Sequence, residues 1–338
     1  MGVCVGVVGA TGAVGQELLA VLAERGFPLG ELRAFASAGS SQRAVRALGR
    51  EVKVEPLSTA RLAGVELAFF AAGAAVAREW APRAVDAGAL VVDNSSAFRH
   101  DPQVPLIVPE VDPAALTPDA RLIANPNCTT TLLVVALAPL HRAAGLERLV
   151  VATYQAASGA GARALAELEE QTREALAGRE PVARRMPRPL AMNLFPQVGA
   201  FGPEGWTEEE EKVAHEARRI LGLPWLPVSA TCVRVPVRRA HSAAVWAAFQ
   251  RPLEPGAARE LLGRAPGVRL LDDPEAGLYP TPRDAEGQDE VLVGRLRRDP
   301  GAAHGLCFFL SGDQLRKGAA TNAVQVAELA LGLARRPA

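Results

Sequence analysis

The chain has 338 residues, more than one hydrophobic core usually holds, so two domains are expected. Hydrophobic residues make up 49% and charged residues 22%, which excludes a disordered or fibrous chain. Lys plus Arg and Asp plus Glu both number 37, and this zero net charge gives nucleic acid or an acidic membrane no electrostatic hold.

Residues 3–8, V-C-V-G-V-V, form an apolar run that reads as a strand buried on both faces. The loop G-A-T-G-A-V-G follows at residues 9–15, and residues 16–22 then carry helical spacing. Further strands are predicted at 32–36, 66–71, 89–92 and 122–124, with a helix at 75–87. Such alternation predicts an α/β, Rossmann-type, doubly wound sheet. After residue 128 the pattern changes. Strands are predicted at 148–154, 230–237 and 243–249, with helices at 163–176 and 207–221, an α+β arrangement. Residues 178–203, rich in Pro and Arg, read as a long connection or lid, and an apolar-periodic helix is predicted at 322–333. The expected organisation is a dinucleotide-binding domain of residues 1–127 plus 312–338 and a second domain of residues 128–311.

No segment supplies the roughly 18 uninterrupted apolar residues of a membrane helix. Met1 leads straight into a strand-like run, without a basic leader or cleavage site. The four cysteines, Cys4, Cys128, Cys232 and Cys307, form no C-x-x-C pair, so no metal is expected. Free thiols in a reducing, cytoplasmic compartment are the expectation.

Between a strand and a helix, glycines let the backbone turn tightly and approach a pyrophosphate seated on the helix N-terminus. Gly9, Thr11, Gly12, Ala13 and Val14 are therefore candidate cofactor-binding residues. A glycine-rich turn without a ligand needs the same residues; the alternating context is what favours a dinucleotide. NAD sites usually carry Asp or Glu after the second strand. Here that position reads S-A-G-S-S-Q-R over residues 37–43, with no carboxylate. Ser37, Gly39, Ser40 and Arg43 are the candidates for meeting a 2′-phosphate, so NADP is expected over NAD.

N-P-N-C-T-T-T at residues 125–131 breaks at Pro126 and enters a predicted helix over 130–138. Cys128 at that N-terminus is a candidate nucleophile, because the helix dipole favours a thiolate. Cys4 lies in an apolar strand and reads as core, and Cys232 and Cys307 in strand-like runs read as structural. A thiolate needs a proton partner, and spacing does not select among His100, His141, His215, His241 and His304.

Five fragments now occur in a telling order: the glycine loop, N-P-N-C-T-T, Q-A-A-S-G-A-G (155–161), T-E-E-E-E-K (207–212) and R-V-P-V-R-R-A-H-S (234–242). Together they resemble the aspartate-β-semialdehyde dehydrogenase family along nearly the whole chain. The resemblance implies reversible, phosphate-dependent interconversion of L-aspartyl 4-phosphate and aspartate 4-semialdehyde with NADPH, a step of lysine, threonine and methionine biosynthesis. It places the nucleophile on Cys128, the acid/base on His241 and acyl orientation on Gln155. Arg234 falls on the α-carboxylate grip, Glu209 on the amino-group partner, and Arg99 and Lys212 on phosphate, with Asn127 close by. Ser158 and Gly159 match a turn near the nicotinamide, and Gln314 a further cofactor contact. The second domain becomes a catalytic and dimerisation domain, and a homodimer or a tetramer of dimers is implied.

Elementary chemistry agrees with these placements. An acyl phosphate needs cations around its dianionic head, and the planar fork of Arg suits a carboxylate better than Lys. Glu209 and Lys212, three apart on a predicted helix, share a face, while Thr207 with Glu210 forms a capping box. The chain departs from the family at Gly39, where relatives often carry Arg; Arg43 is the substitute candidate. The rival enzyme reading is N-acetyl-γ-glutamyl-phosphate reductase, against which Glu209 favours a free ammonium. A catalytically idle cofactor-binding protein is the other rival, against which Cys128, Gln155, Arg234 and His241 stand together.

Overall fold

The computed structural model describes residues 2–37, 44–47, 49–57 and 62–333. Its contacts divide the chain into Met1–Asn127 with Ala319–Ala338, and Cys128–Gly318.

The first unit is built on β1 (Val3–Val8), α1 (Ala13–Glu24), β2 (Leu29–Ala36), β3 (Ala44–Ala47), β4 (Arg50–Pro56), β5 (Leu67–Phe70), α2 (Ala74–Asp86), β6 (Leu90–Asp93) and β7 (Leu122–Ala124). The sheet order is β3-β4-β2-β1-β5-β6-β7, parallel throughout except for the β3–β4 pair. Alternation along each strand feeds two cores. Val5, Val7, Phe69 and Val92 point to one face, where Val324 and Ala327 of the C-terminal helix Thr321–Ala330 cover them. Val8, Phe70 and Val91 point to the other, against Ala77 and Ala81 of α2. With both faces covered, β5 and β6 are buried at every position, as continuous apolar runs require. Strands β3 and β4 escape a periodicity reading because they form a charged edge hairpin, and charge is how an edge strand avoids further pairing.

The second unit contains α3 (Cys128–Ala144), β8 (Leu146–Gln155), α4 (Ala162–Leu176), α5 (Glu208–Ile220), β9 (Val228–Arg234), β10 (His241–Phe249), α6 (Pro255–Gly263), β11 (Val268–Leu270), α7 (Pro282–Ala285), β12 (Val291–Asp299) and β13 (Gly305–Gly312). Its mixed sheet runs β11-β12-β13-β10-β8-β9. The strand predicted over 230–237 stops at Arg234, because Pro236 has no N–H for the ladder and Val237 N turns back to Val235 O at 2.8 Å. The chain leaves this unit after Gly318 rather than at 312, since Asp313, Gln314 and Arg316 all bond to its side chains or backbone.

Residues 178–203 are tied down. Two buried side chains of α4 hold them: Glu167 accepts from Arg184 N and Arg185 N at 2.9 and 2.8 Å, and Gln171 accepts from Leu190 N at 2.8 Å. Phe195 then pairs with Arg234 through both backbone groups, at 3.2 and 2.9 Å. Among the described residues no helix is long and apolar enough to cross a membrane.

Candidate active site

Strand register gathers the candidates at one end of the second sheet. In the parallel β8–β9 pair, Gln155 is the direct partner of Arg234. β10 begins at His241, with Ser242 opposite Tyr154 of β8. The turn between β9 and β10 wraps residues 156–158, with Ala157 N donating to Val237 O at 2.8 Å and Ser158 N to Arg238 O at 3.2 Å. Cys128 is the first residue of α3, at the helix end where partial positive charge favours a thiolate. Behind it lies Gly318, where an added Cβ would come within 2.9 Å of the Cys128 Cβ.

A chain of polar contacts links the neighbours of Cys128. Thr129 Oγ1 donates to Glu209 Oε1 at 3.4 Å, and Gln155 Nε2 donates to the same oxygen at 3.0 Å. Thr153 Oγ1 donates to Gln155 Oε1 at 3.1 Å, which fixes which way the Gln155 amide faces. Glu209 is delivered by the first turn of α5, whose capping box between Thr207 and Glu210 is formed. Glu210 additionally accepts from Cys232 N at 2.9 Å. Cys232 is fully buried, and burial pushes its thiol up to about 12, the behaviour of a structural cysteine.

Arg234 is buried and donates through Nη1 to Ala156 O at 2.6 Å. Burial pulls its guanidinium below the ordinary arginine value, while Glu209 and then Cys128 pull it back up. Lys212 sits half-buried, with Nζ 3.8 Å from Glu208 and 4.0 Å from Glu209. A cavity of about 610 Å³ opens beside Arg234, lined also by Arg163, Arg185, Met186 and Phe195. His241 is 1% exposed; its Nδ1 accepts from Ala156 N at 3.0 Å, and its Nε2 has no hydrogen-bond partner. Burial, and then the charge of Arg234, push its imidazole down to about 3. Gly159 makes the close approach possible, since a Cβ there would lie 2.8 Å from His241 Nε2 and 3.1 Å from Arg234 Nη1. Gln314 donates to Ser158 Oγ at 2.6 Å.

In the first unit, Gly9 adopts φ +90 and lies so close to the β5 end that a Cβ would meet Ala71 O at 2.6 Å. Gly12 caps α1 without a side-chain hydrogen bond, so the first-turn N–H groups of Ala13 and Val14 stand at a helix end of the kind that suits an anion. Thr11 lies in the same turn, and Ser37 directly follows β2, exposed. Gly39, Ser40 and Arg43 lie outside the described residues. Arg99 is buried and donates to Asn125 O and Asn94 O, both at 2.9 Å. Asn127 is also buried, at the end of this unit.

Sequence reasoning passed over Thr129, Thr153 and Gly318. The first stands beside Cys128 in N-C-T-T, a signal that was available; the other two join the site only through strand register and the return of the chain.

Residues 4–118 match the family model of the semialdehyde dehydrogenase NAD binding domain, and residues 137–317 that of the semialdehyde dehydrogenase dimerisation domain. The chain is 47% identical over 325 residues to the aspartate-semialdehyde dehydrogenase of Synechocystis, covering 96% of each chain. It is 44% identical over 335 residues to that of Bacillus subtilis, covering 97% of each. The crystal structure of aspartate semialdehyde dehydrogenase II from Vibrio cholerae complexed with ASA superposes with a TM-score of 0.95 at 40% identity, over 98% of this chain and 99% of that one. With its glycine loop, its cysteine at the start of α3 and matches of this extent, the chain belongs to the aspartate-semialdehyde dehydrogenase family.

Proposed function

We propose that the chain catalyses the reversible, NADP-dependent reductive dephosphorylation of L-aspartyl 4-phosphate to L-aspartate 4-semialdehyde through a thioester on Cys128. The observation that carries the reading is the cluster of Cys128, the Gln155–Glu209 pair, buried Arg234 and the partnerless Nε2 of His241 in one unit. Arg234 grips the substrate α-carboxylate and Glu209 its ammonium, which leaves the acyl carbon toward the thiolate. The Cys128 thiolate attacks that carbon, and the phosphate departs with its bonding pair, Lys212 being the cation of this unit that suits it. A bound nicotinamide dinucleotide would supply the hydride that the thioester carbon accepts. Collapse of the resulting thiohemiacetal breaks the C–S bond and restores the thiolate. Gln155 orients the acyl group, and His241 serves the reacting oxygen.

For the cofactor, the open N-terminus of α1 receives the pyrophosphate. The residues after β2 offer hydroxyls and Arg43 but no carboxylate, which favours the 2′-phosphate of NADP. The protein works as a homodimer in a reducing compartment, where Cys128 is kept from oxidation.

The test is phosphate-dependent reduction of NADP with aspartate semialdehyde, run beside N-acetylglutamate semialdehyde and repeated with NAD. Turnover with the first aldehyde only, abolished in Cys128→Ala, is expected. Turnover with the second overturns the substrate, equal use of NAD overturns the cofactor preference, and activity in Cys128→Ala overturns the mechanism.

A further inference from the structure

One face of the β8–β9 pair carries four buried side chains in register. Thr153 and Gln155 are two apart on β8, so they share a face, and their direct partners on β9 are Cys232 and Arg234. Helix α5 packs on β9 and delivers Glu209 to this face, where Gln155 Nε2 donates to Glu209 Oε1 at 3.0 Å. Thr153 is fully buried, and no step of the thioester chemistry calls on its hydroxyl.

Hydrogen-bond polarity runs through this group in one direction. A carboxylate only accepts, so the Gln155 atom facing Glu209 is its NH2 and the atom facing Thr153 is its carbonyl oxygen. That oxygen needs a donor, and the Thr153 hydroxyl, 3.1 Å away, supplies it. The Cys232 thiol, kept protonated by burial, hydrogen-bonds the same hydroxyl and takes up its acceptor side. At the far end, Glu209 Oε1 also accepts from Thr129 Oγ1 at 3.4 Å, in the first turn of α3. Oε1 is thereby held from two sides, while Oε2 lies on the side of Lys212, 4.0 Å from its Nζ.

We propose that Thr153 is a positioning residue that acts through Gln155 to fix the plane of the Glu209 carboxylate, and that this relay sets how tightly the substrate's charged amino group is recognised. The proposal rests on the reading of Glu209 as the partner of that amino group. A carboxylate oriented beforehand loses little rotamer freedom when an ammonium binds, whereas one that turns freely loses more. Without the Thr153 hydroxyl, Gln155 Oε1 becomes a buried acceptor lacking its donor, and the amide turns to recover one. Its NH2 then leaves Glu209, and the carboxylate turns with it.

The test compares Thr153→Val, which keeps the branched shape and strand preference of Thr, with Thr153→Ser, which keeps the hydroxyl. In the whole protein, Thr153→Val is expected to raise KM for aspartate semialdehyde about 10-fold, and Thr153→Ser to stay within about 3-fold of wild type. The Ki of succinate semialdehyde, which has the same chain without the amino group, is expected to change by less than about 2-fold in either variant. In a Gln155→Leu background, Thr153→Val is expected to add less than about 2-fold, because its route is already cut. Equal weakening of both aldehydes, an additive effect in that background, or a Ser variant as poor as the Val variant overturns the proposal. Gln155 is also read without turnover. In 15N-glutamine-labelled protein its side-chain amide pair, assigned with Gln155→Leu, is expected to shift in Thr153→Val and to hold in Thr153→Ser. An unmoved pair in Thr153→Val overturns the relay. The expected shifts in a protein inactive on aspartate semialdehyde support the relay through Gln155 and sink the reading of Glu209 instead.

Discussion

His241 stays unprotonated in the folded protein until the pH approaches 3, whereas its ordinary value, regained on unfolding, is 6.5. Between those values the unfolded state binds more protons, so stability rises with pH and is progressively lost as the pH falls below 6.5. For one group the slope reaches about 1.4 kcal/mol per pH unit. Asp93 slopes the other way above its ordinary 3.8, since burial raises its carboxyl. The comparison with His241→Gln cancels that contribution. Urea denaturation from pH 7 to 4 should show the wild type losing stability relative to the variant at about that slope; parallel curves would count against the buried neutral ring. At this scale the sequence pointed to Cys128 by its helix-start context and to Arg234 by its chemistry once the resemblance was drawn. Spacing alone could not choose His241 from five histidines, and only the resemblance singled it out, because burial and the Ala156 N–H come from strands distant in sequence.

Helix α5 shows how an element's own stability feeds the site. Thr207 accepts from Glu210 N at 3.4 Å and Glu210 accepts from Thr207 N at 2.7 Å, and Glu209 stands between them in the first turn. Thr207→Ala should lower stability by about 1 kcal/mol, measured by denaturation. It should also raise KM for aspartate semialdehyde several-fold with kcat nearly unchanged, since fraying moves Glu209 and spares Cys128. Unchanged KM would separate the cap from the substrate contact. The capping box was readable from T-E-E-E alone, because both halves lie within one turn. The holding of residues 178–203 was not: their Pro and Arg composition reads as a loose connection, whereas Glu167 and Gln171, buried on α4, and the pairing of Phe195 with Arg234 hold their backbone in place.

At the scale of the whole molecule, the sheet of the second unit presents an open apolar face. Val150, Ala152 and Tyr154 of β8 and Ala244 and Trp246 of β10 face outward there, with Trp246 paired to Val150. Trp246 remains 36% exposed, and a contiguous apolar face of this kind marks an interaction surface. In the proposed homodimer this face meets its copy. Trp246→Asp should convert the dimer to monomer by analytical ultracentrifugation and remove the concentration dependence of Tm; an unchanged mass would place the interface elsewhere. The sequence by itself determined the two kinds of architecture, the glycine loop and the helix that begins at Cys128. These rest on periodicity and on neighbours within a turn, which local composition encodes. Only the tertiary structure decided the pairing of Gln155 with Arg234, the seating of His241 against Ala156 and the place of Gly318 behind Cys128. Those contacts depend on strand register and chain return, which are set by packing across the whole unit rather than by any stretch of residues.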